Sequence, residues 1–597
     1  MSGAAFVLTH LAFASLIAAD AVALGRCLGA LAGPAVRAER WGLPLALGLG
    51  AIGCVAAVLA AAGRLTAPWL ILVLAGAAAA AAPEWRPLLA EVASLARRPR
   101  RRRAAAALAA AAPVLALALY PPTGFDALLY HLPAAARFVA SGRLTVAPEL
   151  RFPAFPWLNE ILFAAAMRLQ DDVAAQMVEC LAYLGVAALL WEMGRRRCGP
   201  WAGALGAALW LGSPLAAWAA ASAYVEPLEA LFVLAAVEAL LLAEEAQAPR
   251  LLVLAGALAG CAAAVKYQGL FAVALVAVWT LRGGGSPGDQ ILSRRWRMLL
   301  PPLVAAAAVA LPWYLWIGAA TGDPVFPLIT RLTHPRPAGV PGLGDWRNLP
   351  WHVLRQKIWP YPPGSPLLWL LAPLPLLGRR RFPAAARLGA AGLALVLVTA
   401  AVHPDGRMIA VAGPLFGGAI AAVLVPWSLA RWGPAGAAPR LLAITLAALL
   451  PGWCYAALLV ARRGAIPHDA AGRESYLRRE LPGYGALSWL NSARGRQYAV
   501  YGLWAENLRY YAAGRFAGDW YGASPFAAAL RAAERPADLR AFLLAAGADH
   551  LLIRRRPGMP DLLPCEEARF AGFLRAVHCD GEASVWAVET PARTGGP

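Results

Sequence analysis

Residues 104–142 read AAAALAAAAPVLALALYPPTGFDALLYHLPAAARFVASG. The run 104–120 carries no charge and is of the length that crosses the roughly 30 Å of membrane hydrocarbon as a helix. It stops at Pro121-Pro122. Beyond the prolines comes neither an apolar run nor a short turn, but a loop with an acid, a phenol, an imidazole and a guanidinium. A span that opens into such a loop decides the fold class, because the same kind of apolar block recurs along the chain. Further blocks lie at 4–24, 43–62, 68–82, 173–193, 201–219, 227–243, 251–266 and 269–281, then at 299–317, 365–378, 384–402, 409–426 and 441–460. The reading is an α-helical polytopic membrane protein with about fourteen transmembrane helices. The first block has no basic residue before it, and so reads as a retained helix and not as a signal peptide.

Composition agrees. Of 597 residues, 60% are hydrophobic and only 15% charged, whereas soluble domains carry about 25% charged residues. That excludes disorder and a large soluble enzyme. The net charge of +20 would point to nucleic acid in a soluble chain. Here the arginines sit in alternate short loops: Arg26/Arg37/Arg40, Arg97/Arg98/Arg100–Arg103, Arg195–Arg197, Arg282/Arg294/Arg295/Arg297, Arg379–Arg381 and Arg431/Arg440. By the positive-inside rule that side is cytoplasmic. The other side then receives the loops 121–172 and 318–364 and the tail from 461. The chain thus divides into an N-terminal three-helix membrane extension (1–103), a membrane core (104–460) and an extracytoplasmic α/β domain (461–597). In the last, strand-like QYAVYGLW (497–504), HLLIRR (550–555) and SVWAVE (584–589) alternate with helix-like FAAALRAAE and ADLRAFLLAAG. Its Cys565 and Cys579 are candidates for a disulfide, which persists outside the cytoplasm; the other six cysteines read as small packing residues.

The chemistry is expected on the outer side. Two stretches of loop 121–172, at 125–140 and 157–169, look like short amphipathic helices lying on the membrane surface. A helix over 125–140 would put Asp126, Tyr130 and Arg137 on one face; alternatively, Asp126 merely balances a helix dipole. Glu226, in ASAYVEPLEAL just before Pro227, falls on the same side, either as a functional acid or as a first-turn carboxylate. Only two lysines exist, Lys266 and Lys357. Lys266 interrupts the apolar stretch LAGCAAAVKYQGLFAVAL and there needs an anionic partner, or else snorkels to the interface. In VHPDGRM, Arg407 is placed to clamp a phosphate or to pair with Asp405. Loop 318–364, with His334, Arg336 and several further basic residues among tryptophans, suits a gate that orders on donor binding. There is no phosphate-cradling Gly-rich loop, paired Cys-x-x-Cys or His-Glu-x-x-His.

FDALLYHLPAAARFVASGRL followed by PAFPWLNEILFA resembles the first outer loop of the polyprenyl-phosphate-dependent glycosyltransferases of the GT-C fold, which include the protein O-mannosyltransferases and the lipid A aminoarabinose transferase. AYVEPLEALFV is similar to that family's second acidic site, GCAAAVKYQGL to its small-residue helix ending in lysine and an aromatic, and LPWYLWIGAATGDPVFP to the turn that opens its later loop. The resemblance covers about 104–460. The side-by-side acid pair of some members is absent, since Ala127 follows Asp126. The resemblance implies transfer of a sugar from a polyprenyl-phosphate donor to an acceptor hydroxyl on the outer face of a bacterial-type inner membrane. It implies Asp126 as general base with inversion, Glu226 as a second acid, and Tyr130, His131, Arg137, Lys266, Tyr267, His334, Arg336 and Arg407 around the lipid phosphate and sugar. No cofactor is required, and no motif calls for a divalent metal. The partners expected are the lipid-linked donor, membrane lipids and a lipid, glycan or protein acceptor, without nucleic acid. Other readings are a flippase of lipid-linked glycans, a ligase of preassembled glycans, or a receptor sensing through 461–597. No internal inverted repeat of the transporter kind is visible.

Overall fold

In the computed structural model, the residues described are 2–37, 39–95, 97, 100–282, 291–333, 364–402, 406–519, 525–556, 562–563 and 570–589. Among them six helices are long and apolar enough to cross a membrane, or eight if two sharply bent pairs each count as one span. The chain is a multi-pass helical membrane protein. The expected count of about fourteen is reached by none of these tallies, and the reasons are local. The blocks 251–266 and 269–281 form short helices, Arg250–Val265 and Leu270–Arg282, broken at Lys266. The blocks 68–82 and 201–219 belong to bent pairs, Ala67–Ala80 with Ala82–Leu95 and Pro200–Leu211 with Pro214–Ala220. The last two blocks merge into Gly413–Arg463, kinked at Gly433, where φ is 64°. The helix Glu226–Ala246 is long enough, but carries Glu226, Glu229, Glu238, Glu244 and Glu245.

Close crossings hold the bundle together. The helices Gly3–Ala32 and Gly42–Ala61 touch backbone to backbone: a Cβ on Gly25 would lie 1.8 Å from the Pro44 carbonyl oxygen, and one on Gly48 would lie 1.9 Å from that of Ala21. Small residues allow such approaches, and dispersion contacts between close helices replace the hydrophobic drive that lipid does not supply. The start of Gly42–Ala61 is capped at long range, its Arg40, Trp41 and Gly42 amides donating to Glu192 at 2.9, 3.0 and 3.1 Å.

The stretches 125–140 and 157–169 are helical, as a π-turn Ala127–His131 running into Leu132–Ser141 and as Leu158–Leu169. They do not lie on a surface. Leu129, Leu132, Phe163, Asn159 and Glu160 are fully enclosed, so loop 121–172 is a packed layer over the helix ends. The C-terminal part forms a five-stranded sheet in the order β2-β1-β3-β5-β4, where β1 is Ala499–Leu503, β2 Arg515–Ala517, β3 His550–Arg554, β4 Leu574–Cys579 and β5 Ala583–Val588. The first three pair in parallel, and β5 pairs antiparallel with β3 and β4. Cys579 is disulfide-bonded; Cys565 lies outside the described residues. The sheet sits on the packed layer: Tyr511 Oη donates to the Pro122 carbonyl at 2.7 Å, Arg473 pairs with Asp172, and Arg151 pairs with Asp519 at 2.5 Å.

Gly48→Val forces the first helix away from its neighbour. The expected cost is about 1–3 kcal/mol, read as a lower melting temperature of the purified protein; an unchanged melting temperature contradicts the crossing.

Candidate active site

Four irregular segments converge at one place. The helix Arg250–Val265 ends at Lys266, whose backbone is extended (φ −160°, ψ 154°), and the turn Tyr267–Gly269 folds back beneath it. A Cβ on Gly269 would meet the Ala262 carbonyl group at 2.1 Å, so only glycine permits this break. Glu226 is the first residue of Glu226–Ala246, with Pro227 behind it, where a missing amide costs nothing. The Leu228 amide at that start donates to Glu179 at 3.1 Å. Arg407 lies in the turn Gly406–Ala412, which opens the long last helix. Asp126 precedes the π-turn, and its amide donates to Tyr224 Oη at 3.1 Å.

These four side chains form one ion cluster. Lys266 Nζ donates to Glu226 Oε1 at 2.9 Å, and Arg407 Nε lies 3.6 Å from the same oxygen. Arg407 Nη2 also donates to Asp126 Oδ2, which accepts a hydrogen bond from Tyr130 Oη at 3.0 Å. The Arg407 guanidinium rests over the Tyr224 ring at 4.9 Å. Glu226 is 1% exposed, Lys266 and Arg407 5% each. Two carboxylates and two cations balance, which is how charges persist away from water. Burial pushes the Asp126 carboxyl up, but Arg407 above all, then Arg151 and His131, hold it below the usual carboxylate range.

His131 is brought into the same shell but bonds elsewhere: its Nδ1 meets Glu160 Oε1 at 2.5 Å, both groups fully buried. Tyr267 stacks edge-on against Phe155 at 4.7 Å and keeps its hydroxyl buried. Arg137 does not join the cluster. It pairs with Glu149 and reaches Thr145 at 3.3 Å on the exposed rim. The reason is the π-turn, which takes up about one residue more per turn than an α-helix and shifts everything after it off the expected face. His334, Arg336, His403 and Asp405 lie outside the described residues. Among those described, no group of three His, Cys, Asp or Glu side chains is placed to hold a metal.

Sequence reasoning did not single out Tyr224, Arg151, Glu160, Glu179 or Glu229. Glu160 and Glu179 carried a usable signal, an acid within an apolar helix. Arg151 carried none.

Residues 148–316 match the family described as Dolichyl-phosphate-mannose-protein mannosyltransferase. This segment, less than a third of the chain, is similar to that glycosyltransferase family. The matched segment contains Glu226 and Lys266, while Asp126 and Arg407 flank it in sequence and meet it in space. A second family, described only as SF2091/S2213, matches residues 472–562. No curated protein matches the chain. Among solved structures, ArnT from Cupriavidus metallidurans bound to undecaprenyl phosphate is 18% identical, with a TM-score of 0.49, over 83% of this chain and 98% of that one. The apo Archaeoglobus fulgidus oligosaccharyltransferase is 12% identical, with a TM-score of 0.46, over 75% and 69%. Arabinosyltransferase EmbB from Mycobacterium smegmatis is 16% identical, with a TM-score of 0.37, over 86% and 49%.

Arg407→Leu leaves Asp126 buried without its main counter-charge, at an expected cost of about 3–5 kcal/mol. Adding Asp126→Asn recovers part of that loss, and a double variant no more stable than the single one contradicts the pairing. Because the Asp126 value is lowered on folding, its contribution is fully present above the unfolded value of about 3.9 and is lost as pH falls below it. The stability gap between wild type and Asp126→Asn should therefore be flat from about pH 5 to 8 and narrow only below about pH 4.

Proposed function

We propose that the protein transfers a sugar from a polyprenyl-phosphate donor to an acceptor hydroxyl on the extracytoplasmic face of a bacterial-type plasma membrane. The single observation that carries this reading is the balanced, buried cluster Asp126–Arg407–Glu226–Lys266 at converging helix ends, partly within a segment of a glycosyltransferase family whose own name specifies a dolichyl-phosphate sugar. The arginine-poor side of the bundle lacks nucleotide sugars if it faces outward, so a sugar used there must arrive on a lipid phosphate.

The donor phosphate is placed against Lys266, whose ammonium has three donors and spends one on Glu226. Glu226 keeps that ammonium oriented. The phosphate also competes with Asp126 for the Arg407 guanidinium. As it draws Arg407 away, the Asp126 carboxylate loses the charge that weakened it as a base, so basicity rises only when donor is bound. The acceptor oxygen then forms a bond to the anomeric carbon and its proton passes to Asp126. The bond from that carbon to the phosphate oxygen breaks, and its electron pair leaves on the phosphate, where the two cations stabilise it. One displacement inverts the anomeric centre.

Asp126→Asn keeps the size and removes the basicity, so kcat should fall about 10²–10⁴-fold, while donor KM falls because Arg407 no longer has to be drawn from a carboxylate. Lys266→Met should raise donor KM instead. Both are measured with radiolabelled polyprenyl-phosphate sugar and purified protein in nanodiscs. Wild-type kcat in the first variant removes Asp126 as the base, and donor flipped across proteoliposomes without transfer establishes the flippase reading in place of this one.

A further inference from the structure

The C-terminal sheet places a second polar cluster beside the first. The turn Glu506–Tyr511, just beyond β1, packs directly on the π-turn Ala127–His131 that comes after Asp126. Asp519, just beyond β2, is ion-paired with Arg151 of the outer loop at 2.5 Å, and Arg151 is near enough to Asp126 to stabilise its charge. Arg509 Nη2 donates to the Gly518 carbonyl at 3.1 Å and Nη1 donates to that of Glu149, stitching the turn to both β2 and the outer loop. Both strands run parallel here, and the cluster stands at their carboxyl ends, the place where parallel sheets take ligands.

Three buried polar atoms on this one turn have no hydrogen-bonding partner among the described residues: Glu506 Oε2, Asn507 Oδ1 and Arg509 Nε. Glu506 is 3% exposed, and its charge is felt by Asp519, Arg151 and Arg554, so it faces the cluster. Buried polar atoms are rarely left unmade, and an unsatisfied set mixing acceptors with a donor is matched by a ligand that offers both.

We infer that this seam between sheet and outer loop is the acceptor subsite, and that it takes a neutral, hydroxyl-rich glycan held by Glu506, Asn507, Arg509 and the Arg151–Asp519 pair. Among the four charged side chains that would hold it, two guanidiniums balance two carboxylates and give a phosphorylated acceptor no advantage, while hydroxyl groups both donate to carboxylates and accept from guanidinium. The subsite gives the C-terminal sheet a direct part in the reaction: it carries the attacking hydroxyl to Asp126. The inference rests on the glycosyl-transfer reading for the direction of attack.

The test uses the full chain in nanodiscs with two probes measured separately. Undecaprenyl phosphate reads the donor cluster. A panel of neutral oligosaccharides (maltotriose, cellotriose, chitotriose), with glucose 6-phosphate as the anionic control, reads the seam by saturation-transfer NMR. Expected is binding of at least one neutral oligosaccharide to wild type, weakened at least tenfold by Glu506→Gln and by Asp519→Asn, with undecaprenyl phosphate binding held within twofold. Neutral sugars that fail to bind, that bind the variants equally well, or that are outcompeted by glucose 6-phosphate overturn the inference, the second result leaving the three atoms to water. Loss of both probes together with a lowered melting temperature assigns the turn to structure alone and also overturns it. Wild type that does not bind undecaprenyl phosphate instead counts against the donor reading, and the oligosaccharide arm is unaffected by that result.

Discussion

Four charges buried at helix ends govern this structure. Asp126, Glu226, Lys266 and Arg407 come from segments as far apart as 281 residues, and none of them is tolerable there alone, since an isolated ionised group away from water costs far more than any packing contact returns. Each is therefore committed to meet the others. That commitment explains the irregular backbone around them: the break after Val265, the proline-led start at Glu226, the turn at Gly406–Ala412 and the strap before the π-turn all exist where the cluster is. Regular helix would satisfy the backbone better at each point, but would carry the charged side chains past one another.

The same cluster links packing to chemistry. A balanced set of two acids and two cations is stable at rest, and in the proposed function it responds to the donor phosphate by sharing cations already in use. The layer formed by loop 121–172 closes the cluster on one side, and the C-terminal domain covers the layer. Water is thereby kept from the charges, which strengthens their interactions and their preorganisation.

Much of this was legible in the sequence. Lys266 stood out because a lysine in an apolar stretch needs a partner, and Glu226 because it precedes a helix-starting proline on the same side. Asp126 was marked by its place after a span. The strands at 499–503, 550–554 and 583–588 matched the apolar alternation closely. Other features were hidden for physical reasons. Hydropathy counts apolar blocks but not breaks, so the two short helices on either side of Lys266 inflated the number of spans. Periodicity assumes an α-helix, so the π-turn misplaced Arg137. Amphipathic pattern in loop 121–172 suggested a membrane surface, whereas the apolar faces are buried against the sheet and bundle. Long-range partners such as Tyr224, Arg151 and Asp519 leave no mark on local sequence at all.

The most direct measurement is a cryo-electron microscopy structure of the protein in nanodiscs with undecaprenyl phosphate. The account predicts phosphate density within hydrogen-bonding distance of Lys266 Nζ and the Arg407 guanidinium, the lipid tail entering between helices, and the Arg407–Asp126 contact opened. Phosphate bound elsewhere, with that ion pair intact, would contradict it.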